Sequence, residues 1–328
     1  MISTVYAAVA RYRRRYYATH PERRRKLARP VISIGNLAVG GRAKTPLAAL
    51  VAARLRDSGE RPAILSRGYG RRDAADGVVV VRDPAGIRAD LDRAGDEPLM
   101  LARQLEGVAV LASSSRYLAG RLAEHHFGCT VHVLDDGFQH FDLHRDGDIV
   151  VMDEDDLHAD TLPAGRLREP IDASEAADAF VVLDEAVETA LADLRRPIWL
   201  ARRKQGPARL ADTGGTPIGP SAGPVVALAG IAGPAGFFEG VRSAGWTIAG
   251  ELPYRDHHRY DAADVADIAA AARAAGARLI LTTEKDLVRL LPFRPFEVPV
   301  AYVPMTLEIE AAAAFDEWLA ARVRGARS

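Results

Sequence analysis

Between residues 31 and 200, short apolar runs alternate with longer segments of helical character. The runs fall at residues 31–34, 62–65, 78–81, 108–111, 130–134, 149–152 and 179–183. Several are continuous in Val, Ile and Leu, without polar residues at every second position. Continuity of this kind marks strands covered on both faces, as in a parallel sheet flanked by helices. The pattern therefore predicts an α/β domain. A second series begins at residue 224, with an apolar run over 224–230 and a helix after Pro234 that carries Phe237, Phe238 and Val241. An Ala-rich helix over 261–275, a strand at 278–281 and a terminal helix over 308–323 complete it. The intervening "KQGPARLADTGGTPIGPSAG" is rich in Gly, Pro and Thr and predicts a linker, part of which suits a strand pair.

The first thirty residues read differently. Ile2, Val5, Tyr6, Val9, Tyr12 and Tyr16 recur at helical spacing, with Arg11, Arg14 and Arg15 on the other face and Pro21 as a stop. Arg11, Arg13, Arg14, Arg15, Arg23, Arg24, Arg25, Lys26 and Arg29 stand against one acid, Glu22. The basic block follows the apolar part, the reverse of a signal peptide. An aromatic, Arg-rich amphipathic helix suits the interface of an anionic membrane. The alternative is a helix docked on its own domain with a solvated basic face.

Composition narrows the classes. A net charge of −1 leaves no global basic surface for nucleic acid. The single cysteine, Cys129, rules out an internal disulfide framework and fits a reducing compartment. No apolar run reaches the ~20 residues that span a bilayer.

Five segments are candidates for chemistry. In "SIGNLAVGGRAKTPLAAL" a glycine turn, Gly40-Gly41, enters a helix at Lys44-Thr45. Such a turn presents backbone N–H groups and a helix N-terminus to an anion, with Lys for phosphate and Thr for Mg²⁺. The G-x-x-x-x-G-K-[ST] glycines are replaced by Ala38 and Ala43, so a simple strand–helix turn remains open. "TVHVLDDGFQH" ends a strand in Asp135-Asp136, where a phosphoryl-transfer enzyme holds Mg²⁺; a solvated Asp-Asp-Gly turn is the plain alternative. "GDEP" places Asp96 as a helix cap or as a base for an attacking hydroxyl. "PYRDHHRY" brings Asp256, His257 and His258, without metal-ligand spacing. "LSRGYGRR" and "LPAGRLREP" set Arg67, Arg71, Arg72, Arg166 and Arg168 in glycine-containing loops, and Arg116 follows another strand; each suits either a phosphate or plain solvent.

The set and order of "ISIGNLAVGG-x-x-KTP", "LSRGYGR", "GDEP", "LDDGFQH" with "RD", "LPAG-x-LREP", "AGIAGP-x-x-FF", "DHH-x-Y" and "TTEKD" resemble the tetraacyldisaccharide 4'-kinase (lipid A 4'-kinase) family over nearly the whole chain. The resemblance implies a P-loop NTPase-like, mainly parallel sheet flanked by helices, a smaller C-terminal α/β lobe and an N-terminal interfacial helix. It divides the chain into an N-terminal helix over 1–26, a kinase domain over 27–205, a linker over 206–223 and a C-terminal lobe over 224–328. It implies transfer of phosphate from ATP, with Mg²⁺, to the 4'-hydroxyl of an acylated disaccharide 1-phosphate, the precursor of lipid A. The work would be done peripherally, at the cytoplasmic face of the bacterial inner membrane, with no obligate protein partner.

Residue by residue, the resemblance assigns Ala38, Val39, Gly40, Gly41, Arg42, Ala43, Lys44 and Thr45 to the nucleotide loop. Thr45, Asp135, Asp136 and Glu169 fall to the metal, and Arg67, Arg116 and Arg168 to phosphate or substrate. Asp96, paired with His257, becomes the catalytic base, and Lys44 the phosphate-binding lysine. Arg42-Ala43 stands where the family has Thr-Gly, which raises the reading of a weakly active or non-catalytic lipid-binding homologue; a nucleotide switch of the GTPase or metallochaperone kind is a separate alternative. The lack of an N-K-x-D guanine-reading motif opposes the switch. Restoring glycine at 43 is expected to keep or improve ATP use, with a small stability loss from added chain entropy.

Overall fold

The computed structural model describes residues 2–40, 43–72, 77–212 and 215–327. Its strands, in chain order, are β1 Val31–Gly35, β2 Pro62–Ser66, β3 Val79–Asp83, β4 Gly86–Ile87, β5 Ala109–Ala112, β6 Val131–Asp135, β7 Gly147–Met152 and β8 Ala179–Val182. There follow β9 Ile198–Gln205, β10 Arg209–Leu210, β11 Val225–Ala229, β12 Ile248–Pro253, β13 Leu279–Thr283, β14 Val300–Val303 and β15 Met305–Ile309. One sheet has the order β15-β9-β8-β7-β1-β6-β2-β5-β3-β4. From β9 to β5 every pairing in it is parallel, and β15, β3 and β4 add antiparallel edges.

All seven apolar runs of the first series became strands of this sheet. Val31, Ile32, Ser33 and Ile34 are all buried, because helices cover both faces. On one face the helix Lys44–Asp57 buries Leu47, Val51 and Leu55; on the other the helix Arg116–Phe127 buries Ala119 and Ala123.

The second sheet has the order β10-β14-β13-β11-β12 and packs the helices Pro234–Ser243 and Ala262–Ala274. β10 lies inside the expected linker and pairs antiparallel with β14. Two corrections concern the C-terminus. The helix expected over 308–323 begins at Ala312, because Leu307 and Ile309 alternate inward and residues 305–309 pair with β9 as β15. Residues 305–325 do not belong to the second lobe. Phe315, Leu319 and Val323 are buried against the first sheet, with the Trp199 ring edge-on to Phe315 at 5.0 Å. The chain thus leaves the first sheet along β9 and returns along β15, so two paired strands connect the lobes.

The N-terminal helix, Ile2–Thr19, docks and exposes an apolar stripe at the same time. Ala7 is buried, Thr161 donates to the Ser3 carbonyl, and Arg14 reaches inward. Ile2, Val5, Val9 and Tyr12 remain 73, 61, 61 and 71 % exposed on the outer face.

Candidate active site

β1, β2, β5 and β6 are parallel neighbours, and each ends on a segment that carries a candidate residue. The crevice beyond the carboxyl ends of parallel strands is where open α/β sheets bind ligands. β1 ends at Gly35, where an added Cβ would lie 2.5 Å from that of Phe138, so only glycine lets the turn after β6 close on this loop.

Lys44 opens the helix Lys44–Asp57 and folds back over the loop before it. Its Nζ donates to Asn36 Oδ1 at 2.8 Å and to the Gly40 carbonyl, and lies 3.3 Å from Asp136 Oδ1. Burial lowers the Lys44 pKa, and Asp136 works in the opposite direction. The loop is pinned from outside by the segment of Arg166 to Arg168. Val39 N–H donates to the Arg166 carbonyl at 2.7 Å, Arg168 N–H to the Leu37 carbonyl at 2.6 Å, and Ala38 bridges Leu167. Ala38 is buried and Val39 half-exposed. Gly41 and Arg42 lie outside the described residues.

Ala43 precedes the helix with a left-handed φ of 87°. This changes the expectation for Ala43→Gly. Left-handed backbone costs an L-residue roughly 1–2 kcal/mol, which glycine relieves. Loss of a buried methyl costs about 0.8 kcal/mol, and the freer unfolded chain about 0.4–1 kcal/mol. The terms nearly offset. Ala43→Gly is therefore expected to leave the melting temperature almost unchanged and the KM for ATP equal or lower. A large fall in activity would show that the loop requires the alanine.

Asp135 and Asp136 follow the apolar part of β6. Asp135 is buried, and Thr45 Oγ1 donates to its Oδ1 at 3.4 Å. Burial, then the charges of Glu97 and Asp136, raise its pKa to about 7, against Lys44 and Arg116. Asp136 accepts from Arg168 Nη1 at 2.7 Å. Two adjacent carboxylates beside a hydroxyl are hard oxygen donors, and Asp135, the buried one, carries a raised pKa despite Lys44 and Arg116. They fit Mg²⁺, which takes one or two protein carboxylates and completes its shell with water and phosphate. Among the described residues no group of three or more His, Cys, Asp or Glu forms a protein-only metal cage. Glu169, expected at the metal, is engaged elsewhere: its oxygens accept from Arg14 at 2.9 and 2.5 Å and from Gln139 at 3.2 Å.

Arg116 starts the helix Arg116–Phe127 behind a Ser115 cap. It is buried, and burial lowers its pKa to about 10 while Asp135 and Asp136 support its charge. Its Nε–H has no hydrogen-bond partner among the described residues, which leaves a donor for an oxyanion. Arg67, after β2, is exposed and close enough to repel Arg116.

The lobes meet at Asp96. This residue is the first of the helix Asp96–Gln104, behind Gly95, whose φ of 83° and closeness to the Tyr69 carbonyl (2.5 Å from an added Cβ) require glycine. His257 Nδ1 lies 2.9 Å from Asp96 Oδ2. The 161-residue separation is therefore closed in this conformation. Burial acts to raise the Asp96 pKa, but the hydrogen bond from His257 and the charges of Lys285 and Arg289 outweigh it and leave it lowered. The carboxylate is held ionised.

Lys285 and Arg289 were quoted or passed over in the sequence without a role. They lie four residues apart, near one face of the helix Glu284–Leu290. Lys285 Nζ is 3.1 Å from His257 Nε2 and 3.2 Å from Glu97 Oε1, and Arg289 Nε is 3.8 Å from Asp96 Oδ2. The spacing "K-x-x-x-R" after "TTE" was the available signal. Asn36 and Gln139 were also missed; both lie inside recognised motifs but are neutral and carry no chemistry alone.

The sequence profile described as Tetraacyldisaccharide-1-P 4'-kinase matches residues 1–324. A tetraacyldisaccharide 4'-kinase of Syntrophus aciditrophicus is 38 % identical over 307 residues, covering 87 % of this chain and 82 % of that protein. One of Anaeromyxobacter sp. strain Fw109-5 is 41 % identical over 296 residues, covering 85 % and 78 %. The crystal structure of LpxK from Aquifex aeolicus in complex with ATP superposes with a TM-score of 0.83 at 31 % identity, covering 98 % of this chain and 97 % of that one. With the α/β fold, the motif order and these likenesses in agreement, the chain belongs to the tetraacyldisaccharide-1-phosphate 4'-kinase family.

Proposed function

We propose that the chain moves the γ-phosphoryl group of ATP to the 4'-hydroxyl of a tetraacylated disaccharide 1-phosphate, with Asp96 as the acceptor of the hydroxyl proton. The observation that carries this reading is the 2.9 Å contact of Asp96 with His257 across the two lobes, beside a buried lysine loop. Lys44 and the loop N–H groups hold the β- and γ-phosphates. Arg116, with its unpartnered Nε–H, and Arg168 add charge where the transferring group becomes exposed to attack. Mg²⁺, when bound near Thr45 and Asp135, supplies neutralisation of charge on the phosphate oxygens. Asp96 orients the sugar hydroxyl and takes its proton, and His257 and Lys285 stabilise and orient that carboxylate. Contacts such as Gln104 with Glu284 at 2.6 Å hold the lobes together and keep water from competing with the sugar.

The family match and the ATP-bound relative, together with the Lys44–Asn36 and Asp96–His257 contacts, support a working kinase over a non-catalytic homologue despite Ala43. The test is ATP labelled in its γ-phosphate, with and without the acylated disaccharide. Label should appear in the lipid in proportion to the ADP formed. ATP loss without lipid labelling would instead identify a hydrolase.

Among the described residues no helix is long and apolar enough to cross a membrane. We infer peripheral attachment on the side where ATP is available, through Ile2, Val5, Val9 and Tyr12 and the neighbouring arginines. Deleting residues 1–17 also removes docking contacts, so the cleaner variant replaces Ile2, Val5 and Val9 with Ser. Its association with anionic vesicles is expected to fall, and rising salt should weaken what the native chain shows. Equal binding by the two proteins would refute the interfacial role.

A further inference from the structure

Arg14 projects from the inner face of the N-terminal helix and joins that helix to the phosphate loop. Its Nε and Nη2 donate to the two oxygens of Glu169, a 3 % exposed carboxylate, at 2.9 and 2.5 Å. Gln139 Nε2 donates to Glu169 Oε2 at 3.2 Å and to the Asn36 carbonyl at 2.9 Å. Asn36 Oδ1 in turn accepts from Lys44 Nζ at 2.8 Å. A second route runs through packing. The Arg14 guanidinium lies 4.2 Å over the Phe138 ring, and Phe138 closes against Gly35 at the root of the loop. Glu169 also follows Arg168, which holds Asp136. One guanidinium therefore supports both walls of the nucleotide site.

We propose that Arg14, Glu169 and Gln139 are positioning residues through which the docked N-terminal helix sets the geometry of the phosphate loop. The inference rests on residues 36–45 being the ATP loop and goes beyond it: the helix that presents an apolar stripe outward is also part of the nucleotide site. Its seating is thereby coupled to ATP affinity. Without Arg14, Glu169 becomes a buried carboxylate lacking its charge partner, and it draws Gln139 away from Asn36. Arg11 provides the comparison. It lies on the same helix and pairs with Asp172 at 2.8 Å, but both groups are exposed and neither bonds to the described residues of the loop.

The experiment is calorimetric titration of the full chain with ATP and Mg²⁺, paired with steady-state kinetics on detergent-dispersed lipid. Arg14→Ala and Gln139→Ala are each expected to weaken ATP binding about tenfold, the equivalent of one charge-assisted hydrogen bond. The double variant should be little worse than the weaker single, because both interrupt one chain of contacts. The KM for lipid should hold while the KM for ATP rises, and Arg11→Ala should bind ATP as the native protein does. Adding Glu169→Gln to Arg14→Ala removes the unpaired charge and should restore part of the affinity. Arg14→Ala with native ATP affinity overturns the proposal, as does a loss shared equally by Arg11→Ala or one that multiplies with Gln139→Ala. If Arg14→Ala does not fold, native ATP affinity in Gln139→Ala overturns it alone. Lys44→Ala, titrated alongside, separates the two levels: unchanged affinity there removes the ATP-loop reading, and this inference with it.

Discussion

Asp96→Asn is expected to bind ATP like the native chain and to transfer its phosphoryl group about a hundred- to ten-thousand-fold more slowly. Asparagine keeps the shape at the start of the helix Asp96–Gln104 but accepts no proton. Asp96 is a weak base by its lowered pKa, and His257, Lys285 and Arg289 make it so. That weakness is compatible with the reaction. Phosphoryl transfer passes through a loose transition state, in which the nucleophile carries little new bond and its proton leaves late. A permanently ionised acceptor in hydrogen-bond reach then matters more than basicity. Because the carboxylate is held ionised below its ordinary range, its protonation should not limit activity at neutral pH. Turnover near the native rate in a folded Asp96→Asn would leave positioning and metal charge to carry the catalysis.

Lys44→Ala should lower the rate of phosphoryl transfer by about a hundred- to a thousandfold, the cost of losing one preorganised donor to a developing oxyanion. The fold should survive. The helix Lys44–Asp57 is anchored by Leu47, Val51 and Leu55 in the core, not by its first residue. What disappears is the link from Lys44 to Asn36, Gly40 and Asp136, which shapes the loop. Asp136 retains Arg168, so no carboxylate is stranded. Stopped-flow rates beside a melting curve would check both halves. A folded variant with near-native turnover would remove Lys44 from the mechanism.

The strands of the first sheet were legible because a parallel strand covered on both faces is buried along its length and mostly apolar, as Val31 to Ile34 and Val131 to Leu134 are apart from Ser33 and His132. β15 was not. Its residues alternate, and the Ala-rich stretch behind it carries helical propensity that hides an edge strand paired with β9. The lobe boundary failed for the same reason, since nothing local to Phe315 or Leu319 says which sheet they cover. At the site, Lys44, Thr45 and Asp135 were readable from a turn and a strand end. Asp96 and His257 were joined only through family resemblance, because no spacing rule connects residues 161 positions apart. The pairing of Glu169 with Arg14 was not legible either, because Arg14 is equally remote and belongs to a helix whose outward stripe drew attention away from its inner face. Ala43 showed its substitution in the sequence but not its left-handed backbone, which reverses one term of the expected stability change.

The most direct measurement is a single-turnover rate for Asp96→Asn, His257→Ala and the double variant, each saturated with ATP. The proposed mechanism makes the two residues one proton-accepting unit assembled between lobes. It predicts that the double variant will fall within about threefold of Asp96→Asn alone, with ATP affinity preserved in all three, as expected of groups that act together. Rate losses that multiply would show two independent roles and contradict the shared unit.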